Sequence, residues 1–379
     1  MKFRSFGKID WQPSALGFGC MRFPVHDDEP ARIDEREAAR MIEYAVERGV
    51  NYLDTAYPYH GGQSELFLGK ILKNSLRDKV KIATKLPSWK IKEPADLDRY
   101  LNEQLRKLQV EQIDFYLLHA LDEGKWEQLL KVDVLNWLEK AQSDGRIDRI
   151  GFSFHDQYPV FQKIVDGYQG WDFCQIQYNF MDLNYQAGAK GLRYAAEKDL
   201  GVIVMEPIRG GRLVDPPDGV QKIWDQSPVQ RTPADWALQW LWNQQEVSLV
   251  LSGMSTMQHV KENVVSATKS GVGMLTSQEL ETVEKVRKEY QNLKTIPCTR
   301  CGYCMPCPHG VDIPRVLSIY NDLIMYQKPL KAKTEYNQYV PRTSRADFCQ
   351  ECGECEEKCP QDIEISSWME KVDETLKDI

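Results

Sequence analysis

Short apolar segments alternate with amphipathic segments of helical period from about residue 14 to residue 268. Apolar runs of this length, bounded by polar residues, are typical of buried strands. We predict eight strands, at Ala15–Cys20, Tyr52–Thr55, Lys81–Lys85, Phe115–His119, Ile150–Phe154, Phe173–Gln177, Val202–Glu206 and Ser248–Ser252.

The segments between the strands predict helices. Glu37–Val46 places its apolar residues on one face, and Leu97–Leu108 repeats leucine at three- and four-residue steps. Asp34 has the form of a helix start. Strict alternation of strand and helix implies a parallel sheet with right-handed crossovers, and eight such units fit a closed (β/α)8 barrel. No Gly-x-Gly-x-x-Gly opens the first unit, which disfavours an open dinucleotide-binding sheet.

The barrel pattern has two flanking segments. Phe3–Asp10 predicts a small hairpin that turns at Gly7-Lys8 and covers the barrel floor. Thr276–Gln291 predicts a highly charged helix that leads out of the barrel. We therefore predict a barrel domain over residues 1–290 and a second, smaller domain over residues 291–379.

Eight of the ten cysteines lie in two runs in this second domain, and both runs end in Cys-Pro. Three thiolates at three-residue spacing can wrap one face of a cubane cluster, and a distant fourth completes it, as in two-cluster ferredoxins. The fourth cysteine of each run there serves the other cluster, although the last gap of the first run is one residue short here. The predicted ligand sets are Cys298, Cys301, Cys304 and Cys359 for one 4Fe–4S cluster, and Cys349, Cys352, Cys355 and Cys307 for the other.

Two other interpretations of the cysteines are open. Structural zinc favours two Cys-x-x-Cys pairs with a longer gap, and four cysteines within ten residues are cramped for one tetrahedral ion. Disulfides need an oxidising compartment, and no apolar signal segment follows Met1. Cys20 and Cys174 lie outside the runs and are expected to be small buried apolar residues.

The insert between the two cysteine runs has helical periodicity, with Val316–Met325 as its clearest segment. It resembles the α-helical ferredoxin domains of succinate dehydrogenase iron–sulfur subunits. We therefore expect a small, mainly α-helical ferredoxin-like iron–sulfur domain.

Polar residues mark the carboxyl ends of three consecutive predicted strands, where a (β/α)8 enzyme places its chemistry. Asp54 and Tyr59 follow the second strand, Lys85 ends the third and His119 ends the fourth. The five-residue step from Asp54 to Tyr59, and the contexts Ala83-Thr84-Lys85-Leu86 and Asp114–His119, resemble the aldo-keto reductase family across the whole barrel. Gly61-Gly62-Gln63-Ser64-Glu65 is similar to the family's second loop.

The resemblance implies a catalytic role for each of the four residues. Tyr59 is expected to protonate a carbonyl oxygen as hydride from a nicotinamide attacks the carbon. Lys85 is expected to lower the pKa of Tyr59, Asp54 to hold Lys85 charged, and His119 to donate a hydrogen bond to the carbonyl oxygen. Tyr57 is a rival acid that the spacing disfavours.

The resemblance also implies a nicotinamide cofactor, NADPH or NADH. Ser153 and Gln175 fall at the carboxamide positions, and Met205 stands where an aromatic residue is common in the family. Gly253 and His259 replace the Lys and Arg that usually grip a 2′-phosphate, which makes NADH use an open alternative. The remaining implied cofactor contacts are Ile208, Gly210, Gly211, Ser255, Glu262 and Asn263.

Charge and length exclude some classes of function. The formal net charge of −8 argues against nucleic-acid binding, and no stretch approaches the roughly 18 apolar residues of a membrane span. The segment 345–379 carries eleven acidic and four basic residues, typical of a solvated tail or of a docking face for an electron-transfer partner. We expect a cytoplasmic protein with a small carbonyl substrate. A ferredoxin-like redox partner is a further expectation, and the sequence leaves the oligomeric state open.

The leading hypothesis is a nicotinamide-dependent oxidoreductase that interconverts a carbonyl and an alcohol and carries a two-cluster electron-transfer domain. The alternative is a redox-responsive regulatory module whose barrel holds its cofactor and turns over little. A third interpretation makes the ferredoxin domain primary and the barrel a scaffold. The intact set of Asp54, Tyr59, Lys85 and His119 argues against both.

Overall fold

The computed structural model describes residues 1–73 and 76–377. Eight parallel strands close into a barrel in chain order, with β8 paired to β1. The predicted (β/α)8 barrel is confirmed, and each predicted strand overlaps an observed one. The strands are β1 Leu16–Gly19, β2 Tyr52–Asp54, β3 Lys81–Leu86, β4 Ile113–Leu121, β5 Ile147–Phe154, β6 Phe173–Gln177, β7 Gly201–Met205 and β8 Leu249–Ser252.

The helices follow the strands as the periodicity predicted. Asp34 caps the first helix, because its Oδ1 accepts a hydrogen bond from the Glu37 backbone N–H at 3.0 Å. The helices are α1 Glu35–Glu47, α2 Gln63–Leu72, α3 Pro94–Leu108, α4 Glu123–Lys131, α5 Val134–Ser143, α6 Tyr158–Asp166, α7 Gly188–Glu197, α8 Asp218–Asp225, α9 Pro233–Trp242, α10 Met257–Thr268, α11 Ser277–Asn292, α12 Ile313–Tyr326, α13 Pro329–Thr334, α14 Glu354–Glu357 and α15 Ile365–Leu376.

The barrel floor is closed by aromatic side chains from the N-terminal hairpin, as the sequence predicted. Isolated bridges pair Phe3 with Ser14 and Phe6 with Ile9, around a turn at Gly7. Phe6 is fully buried and lies edge-on to Phe115 of β4 at 5.6 Å between ring centroids. The apolar plug fills the amino-terminal end of the barrel, so the opposite rim is left for polar side chains.

The chain divides into two compact units. The first comprises residues 1–210 and 234–276, and the second comprises residues 211–233 and 277–379. In the second unit α8 packs against α11 and α12 packs against α15, around a core that includes Val316, Tyr336 and Val372. The expected mainly helical second region is confirmed, while the boundary at residue 290 stays a prediction. Among the described residues, no helix is both long and apolar enough to cross a bilayer.

Candidate active site

The four predicted catalytic side chains lie at the carboxyl ends of three neighbouring strands. Asp54 ends β2, Lys85 and His119 lie near the ends of β3 and β4, and Tyr59 opens a short 3-10 turn after β2. Because the strands pair in parallel, these ends meet on one rim of the barrel. The structure therefore brings all four residues together.

A buried ion pair lies at the centre of this group. Lys85 Nζ is 2.7 Å from Asp54 Oδ1, 2.7 Å from the Thr55 carbonyl oxygen and 3.4 Å from the Tyr59 hydroxyl. An ammonium has three N–H donors, and these contacts use all three. Burial lowers the pKa of Lys85, but Asp54 and Tyr59 raise it by more, and the net direction is upward. Lys85 is therefore charged beside Tyr59.

Lys85 lowers the pKa of Tyr59 as expected, but the net direction of this pKa is upward. Burial of the phenol raises this pKa above its ordinary value, and Lys85, which lowers it, offsets only part of that rise. The sequence argument counted the charge of Lys85 and left out the desolvation of the phenol. Tyr59 is consequently protonated at neutral pH, which suits a proton donor, and Lys85 stabilises the phenolate that donation leaves.

His119 lies between two aromatic rings. Its imidazole packs edge-on to Tyr59 at 6.2 Å and tilted against Trp89 at 5.2 Å between ring centroids. Burial, and then the charge of Lys85, lower the pKa of His119 well below its ordinary value, so the ring is neutral. His119 Nδ1 is buried without a hydrogen-bond partner. A neutral imidazole carries one N–H, which suits a donor to a substrate oxygen.

Tyr57, the rival acid, is held elsewhere. Its hydroxyl lies 3.2 and 3.4 Å from the two carboxylate oxygens of Glu103 on α3. Burial and the Glu103 carboxylate raise the pKa of Tyr57 to about 12. Tyr57 is therefore a poorer acid than its sequence position alone suggests, and the geometry favours Tyr59.

A buried polar network, which sequence reasoning missed, supports β3. Glu65 Oε1 accepts hydrogen bonds from Thr84 Oγ1 at 2.6 Å and from Gln104 Nε2 at 2.7 Å. The same Gln104 amide lies 3.0 Å from the Lys85 carbonyl oxygen. The network ties the backbone of Lys85 to α2 and α3. The motif Gln63-Ser64-Glu65 gave a signal for it, but nothing in the sequence paired Gln104 with this strand.

The predicted carboxamide contacts lie on adjacent strands. Gln175 on β6 places Nε2 3.6 Å from the sulfur of Met205 on β7, and its Oε1 is buried without a partner. Ser153 on β5 accepts a hydrogen bond from the Ala120 backbone N–H at 2.7 Å. An unpartnered buried carbonyl oxygen is costly unless a donor reaches it, so Gln175 fits the N–H groups of a nicotinamide carboxamide.

The predicted pyrophosphate loop after β7 is held in place by a buried ion pair. Arg209 is buried, and its Nε lies 3.0 Å from Asp182 Oδ2. Ile208 is half-buried, and Gly210 and Gly211 have positive φ angles of 63° and 89°. Glycine at such angles avoids strain and exposes backbone N–H groups, which fits a phosphate-binding turn. The role of Arg209 as an anchor for this loop was missed.

The predicted adenosine contacts surround the start of α10. Thr256 caps the helix and accepts from the His259 backbone N–H at 3.2 Å. His259 Nδ1 accepts in turn from the Ser255 backbone N–H at 3.4 Å, so the imidazole is engaged locally. Asn263 is buried and donates to Ser252 Oγ at 2.9 Å, whereas Glu262 is exposed and pairs with Gln258 at 2.6 Å.

One cationic residue beside this helix was missed by sequence reasoning. The stem of Arg22, from the loop after β1, lies over Gly253: a Cβ built at Gly253 would be 3.0 Å from Arg22 Cδ. Arg22 is exposed and has no ion-pair partner among the described residues. Position 253, where Gly253 replaces the family's usual lysine, therefore borders a cationic side chain from another loop. No sequence signal connects two residues so far apart in the chain.

The eight clustered cysteines line two separate cavities of the second unit. Each cavity takes three cysteines from one run and one from the other, the sharing that the ferredoxin comparison implied. Ile313 and Leu317 of α12 wall the first cavity, and Val311 and Met369 wall the second. The sets are Cys298, Cys301, Cys304 and Cys359, and Cys307, Cys349, Cys352 and Cys355.

The clustered cysteines form no disulfides. All ten cysteines are free, and Cys20 and Cys174 are buried in the barrel, as expected. Among the described residues, no group of three or more His, Cys, Asp and Glu side chains is placed to hold a single metal ion. Four convergent thiols around a cavity with apolar walls fit a cubane cluster better than one zinc ion.

The fold and the site define a (β/α)8-barrel oxidoreductase followed by an iron–sulfur domain. Residues 15–288 match the aldo/keto reductase family, and residues 297–364 match the 4Fe-4S dicluster domain. The chain belongs to the aldo/keto reductase family. It is an oxidoreductase homologue with a C-terminal 4Fe–4S domain.

Individual relatives cover the barrel. The chain is 27% identical over 320 residues to L-galactose dehydrogenase of Arabidopsis thaliana, covering 77% of this chain and 96% of that protein. The holo form of the aldo-keto reductase AKR11C1 from Bacillus halodurans superposes with a TM-score of 0.63 at 26% identity, over 76% of this chain and 96% of that one. The thermostable aldo-keto reductase Tm1743 shares the fold at 20% identity, with a TM-score of 0.62 over 76% of this chain and 100% of that one.

Proposed function

We propose that this protein interconverts a carbonyl and an alcohol with NADPH or NADH, and that its C-terminal domain, residues 291–379, holds two 4Fe–4S clusters. The single observation that carries the proposal is the buried Lys85 ammonium, which contacts Asp54 and Tyr59 together. A scaffold has no need of a charged lysine whose donors point at a protonated phenol, because burying an ion pair is costly.

Each side chain of the site has a defined task. When bound, a reduced nicotinamide would supply the hydride for the carbonyl carbon. Tyr59 donates its phenolic proton to the carbonyl oxygen, and Lys85 stabilises the phenolate that results. His119 orients the carbonyl through its N–H and favours the negative charge that builds on the oxygen. Asp54 holds Lys85 in place.

The nucleotide is expected to lie along the rim from β5 to α10. Gln175 and Ser153 are placed to hold the carboxamide, and Met205 to pack against the nicotinamide ring. The glycines after Ile208 suit the pyrophosphate, and the α10 start with Ser255, His259, Glu262 and Asn263 suits the adenosine. Arg22 offers a cation for a 2′-phosphate, which leaves NADPH a candidate beside NADH.

The clusters would be held by the two cysteine sets that line the cavities. A 4Fe–4S cluster transfers one electron at a time, whereas a hydride carries two, so direct coupling needs an intermediary such as a flavin. We therefore propose that the clusters exchange electrons with a ferredoxin-like partner, sense redox state or stabilise the domain. Cysteines that remain free of disulfides are typical of a reducing compartment, which supports a cytoplasmic location.

Two measurements on anaerobically purified, cluster-loaded protein test this function. The first is steady-state turnover of a panel of aldehydes and ketones with NADPH and NADH. The second is a nucleotide titration followed by visible absorbance and EPR. Turnover of a carbonyl substrate that Tyr59→Phe strongly lowers supports the proposal. Tight nucleotide binding without turnover would overturn it in favour of the regulatory module, and reduction of the clusters would require a carrier between nucleotide and cluster.

A further inference from the structure

An open recess of about 630 Å³ lies beside the connection from β3 to α3. One wall of the recess is formed by residues after β3, namely Trp89, Lys90 and Lys92. The opposite wall is formed by the first two turns of α3, including Asp96 and Arg99. The volume is that of a small-molecule site. None of these residues has a part in the hydride and proton chemistry described above.

The recess borders the proposed reaction site through Trp89. The short turn Ser88–Lys90 packs against β4, and it brings the Trp89 ring to 5.2 Å from the His119 imidazole. Lys90 Nζ lies 5.9 Å from the centroid of the Tyr57 ring, in the loop between Asp54 and Tyr59. A substrate whose carbonyl lies against His119 therefore has Trp89 as its next neighbour, with the lysines beyond.

The acidic side chains of the recess are already committed to the protein. Asp96 accepts hydrogen bonds from the backbone N–H groups of Lys92 and Glu93, at 2.8 and 3.3 Å, and pairs with Arg99 at 2.7 Å. The Glu93 side chain completes a capping box at the start of α3. Both carboxylates are therefore engaged by α3 and its start, although Lys92 still helps to lower the pKa of Asp96, after its backbone hydrogen bonds.

The ammonium groups of Lys90 and Lys92 have no carboxylate within ion-pair distance in the part of the chain that the structure describes. Both lysines are exposed, and both line the recess. Two exposed cations that form no ion pair among the described residues, next to an aromatic wall, make a recess that suits an anion on a short apolar or hydroxylated chain. Lysines on a flat, solvated surface would have neither an aromatic wall such as Trp89 nor a substrate-orienting residue such as His119 beside them.

We propose that the carbonyl substrate carries an anionic group, a carboxylate or a phosphate, which Lys90 and Lys92 bind while Trp89 covers the chain between that group and the carbonyl. This proposal rests on the proposed carbonyl–alcohol function and names its substrate class. It makes Lys90 and Lys92 specificity determinants rather than catalytic residues.

The test compares charged and neutral aldehydes in matched pairs on the cluster-loaded full chain. The carboxylate pair is 4-carboxybenzaldehyde and 4-methylbenzaldehyde, and the phosphate pair is glyceraldehyde 3-phosphate and glyceraldehyde. We expect KM to be at least about tenfold lower for the charged member of one pair, the size of one charge-assisted hydrogen bond. The pair that shows the difference identifies the anion.

Variants assign that preference to the recess. Lys90→Met with Lys92→Met should raise KM for the charged aldehyde about tenfold, leave kcat within twofold and leave the neutral aldehyde unchanged. Lys8→Met makes the same change in the hairpin turn at the opposite end of the barrel, and it should leave the KM of both the charged and the neutral aldehyde unchanged. Equal KM values for charged and neutral aldehydes, or a double variant that keeps the preference, would overturn the proposal.

A binding measurement separates failure of this proposal from failure of the proposed function. Calorimetric titration of terephthalate, an unreactive dicarboxylate, into protein with NADP⁺ or NAD⁺ needs no turnover. Binding that Lys90→Met and Lys92→Met abolish supports the recess even if no aldehyde is reduced. Turnover of neutral aldehydes, with no terephthalate binding and no lower KM for either charged aldehyde, retains the function and rejects the anion site.

Discussion

The Lys85 ammonium lies 2.7 Å from Asp54 Oδ1 and 3.4 Å from the Tyr59 hydroxyl, so a single buried cation contacts both the acid that fixes it and the phenol that it serves. Three different loops and strands supply these atoms, and barrel closure brings them together. The geometry makes Tyr59 a protonated donor whose conjugate base has a stabilising charge already in place.

Replacement of the phenol gives the most direct prediction. Tyr59→Phe should lower kcat for carbonyl reduction by about 10²–10⁴-fold, because the ring stays and the transferable proton is lost. Tyr57→Phe is the matched control, since the Tyr57 hydroxyl is engaged by Glu103. Stopped-assay kinetics with circular dichroism as a folding check measure both. Loss of turnover in Tyr57→Phe with retention in Tyr59→Phe would exchange the two assignments.

The ion pair gives a prediction about stability. Lys85→Met leaves the Asp54 carboxyl buried without its partner, either as an unpaired carboxylate or after uptake of a proton, and should lower the free energy of unfolding of the barrel by about 3–5 kcal/mol. Adding Asp54→Asn to that variant should recover part of the loss. Urea unfolding followed by tryptophan fluorescence reports mainly on the first unit, which holds eight of the ten tryptophans. Equal destabilisation by the single and the double variant would contradict this account.

The neutral His119 predicts a pH dependence of stability. Its pKa is lowered well below 6.5 in the folded state, so below about pH 6.5 the unfolded chain binds a proton that the folded chain does not. The contribution of His119 is therefore complete above pH 6.5 and is lost as the pH falls. Thermal unfolding between pH 5 and pH 7.5 should show a shallower slope in His119→Gln. An unchanged slope would mean that His119 ionises freely in the folded state.

Turnover, unlike the His119 contribution to stability, should be lost at high pH. Tyr59 must be protonated to donate, and burial raises its pKa above the ordinary value near 10. We expect kcat for reduction to be level from neutral pH to about pH 9 and to fall only at higher pH. A fall centred well below pH 9 would show that Lys85 outweighs burial in the working complex.

Double substitutions test how the cysteines are shared. Suppose that Cys359 binds the same cluster as Cys301. The variants Cys359→Ser and Cys301→Ser, and the variant with both changes, should then each keep about four of about eight iron atoms per chain. Cys301→Ser with Cys349→Ser should lose both clusters. Iron analysis and EPR of anaerobic protein measure this, with Cys174→Ala, buried in the barrel, as the control. Loss of both clusters in Cys301→Ser with Cys359→Ser would place these cysteines in different sets.

Arg22 predicts how the protein distinguishes nucleotides. Arg22→Ala should weaken NADPH about fivefold, the size of one exposed charge contact, and change the Kd for NADH by less than twofold. Fluorescence titration of both nucleotides measures these values without turnover. A parallel loss of both affinities would show that Arg22 supports the loop rather than the 2′-phosphate.

The sequence by itself determined the barrel, the helical second region and the chemistry on offer. Alternating periodicity is a local property, so eight strand–helix units can be counted along the chain. The step from Asp54 to Tyr59 and the two cysteine runs are likewise local spacings. Each of these features depends on residues that are close together in the chain, which is why one sequence suffices to predict them.

Only the tertiary structure decided which of these residues meet and in what state. Closure of the barrel sets Lys85 between Asp54 and Tyr59, draws Tyr57 to Glu103 and lays Arg22 over Gly253. Burial sets the direction of the Tyr59 pKa against the charge argument. These outcomes depend on distances and desolvation between residues remote in sequence, which are fixed by packing and which no local pattern encodes.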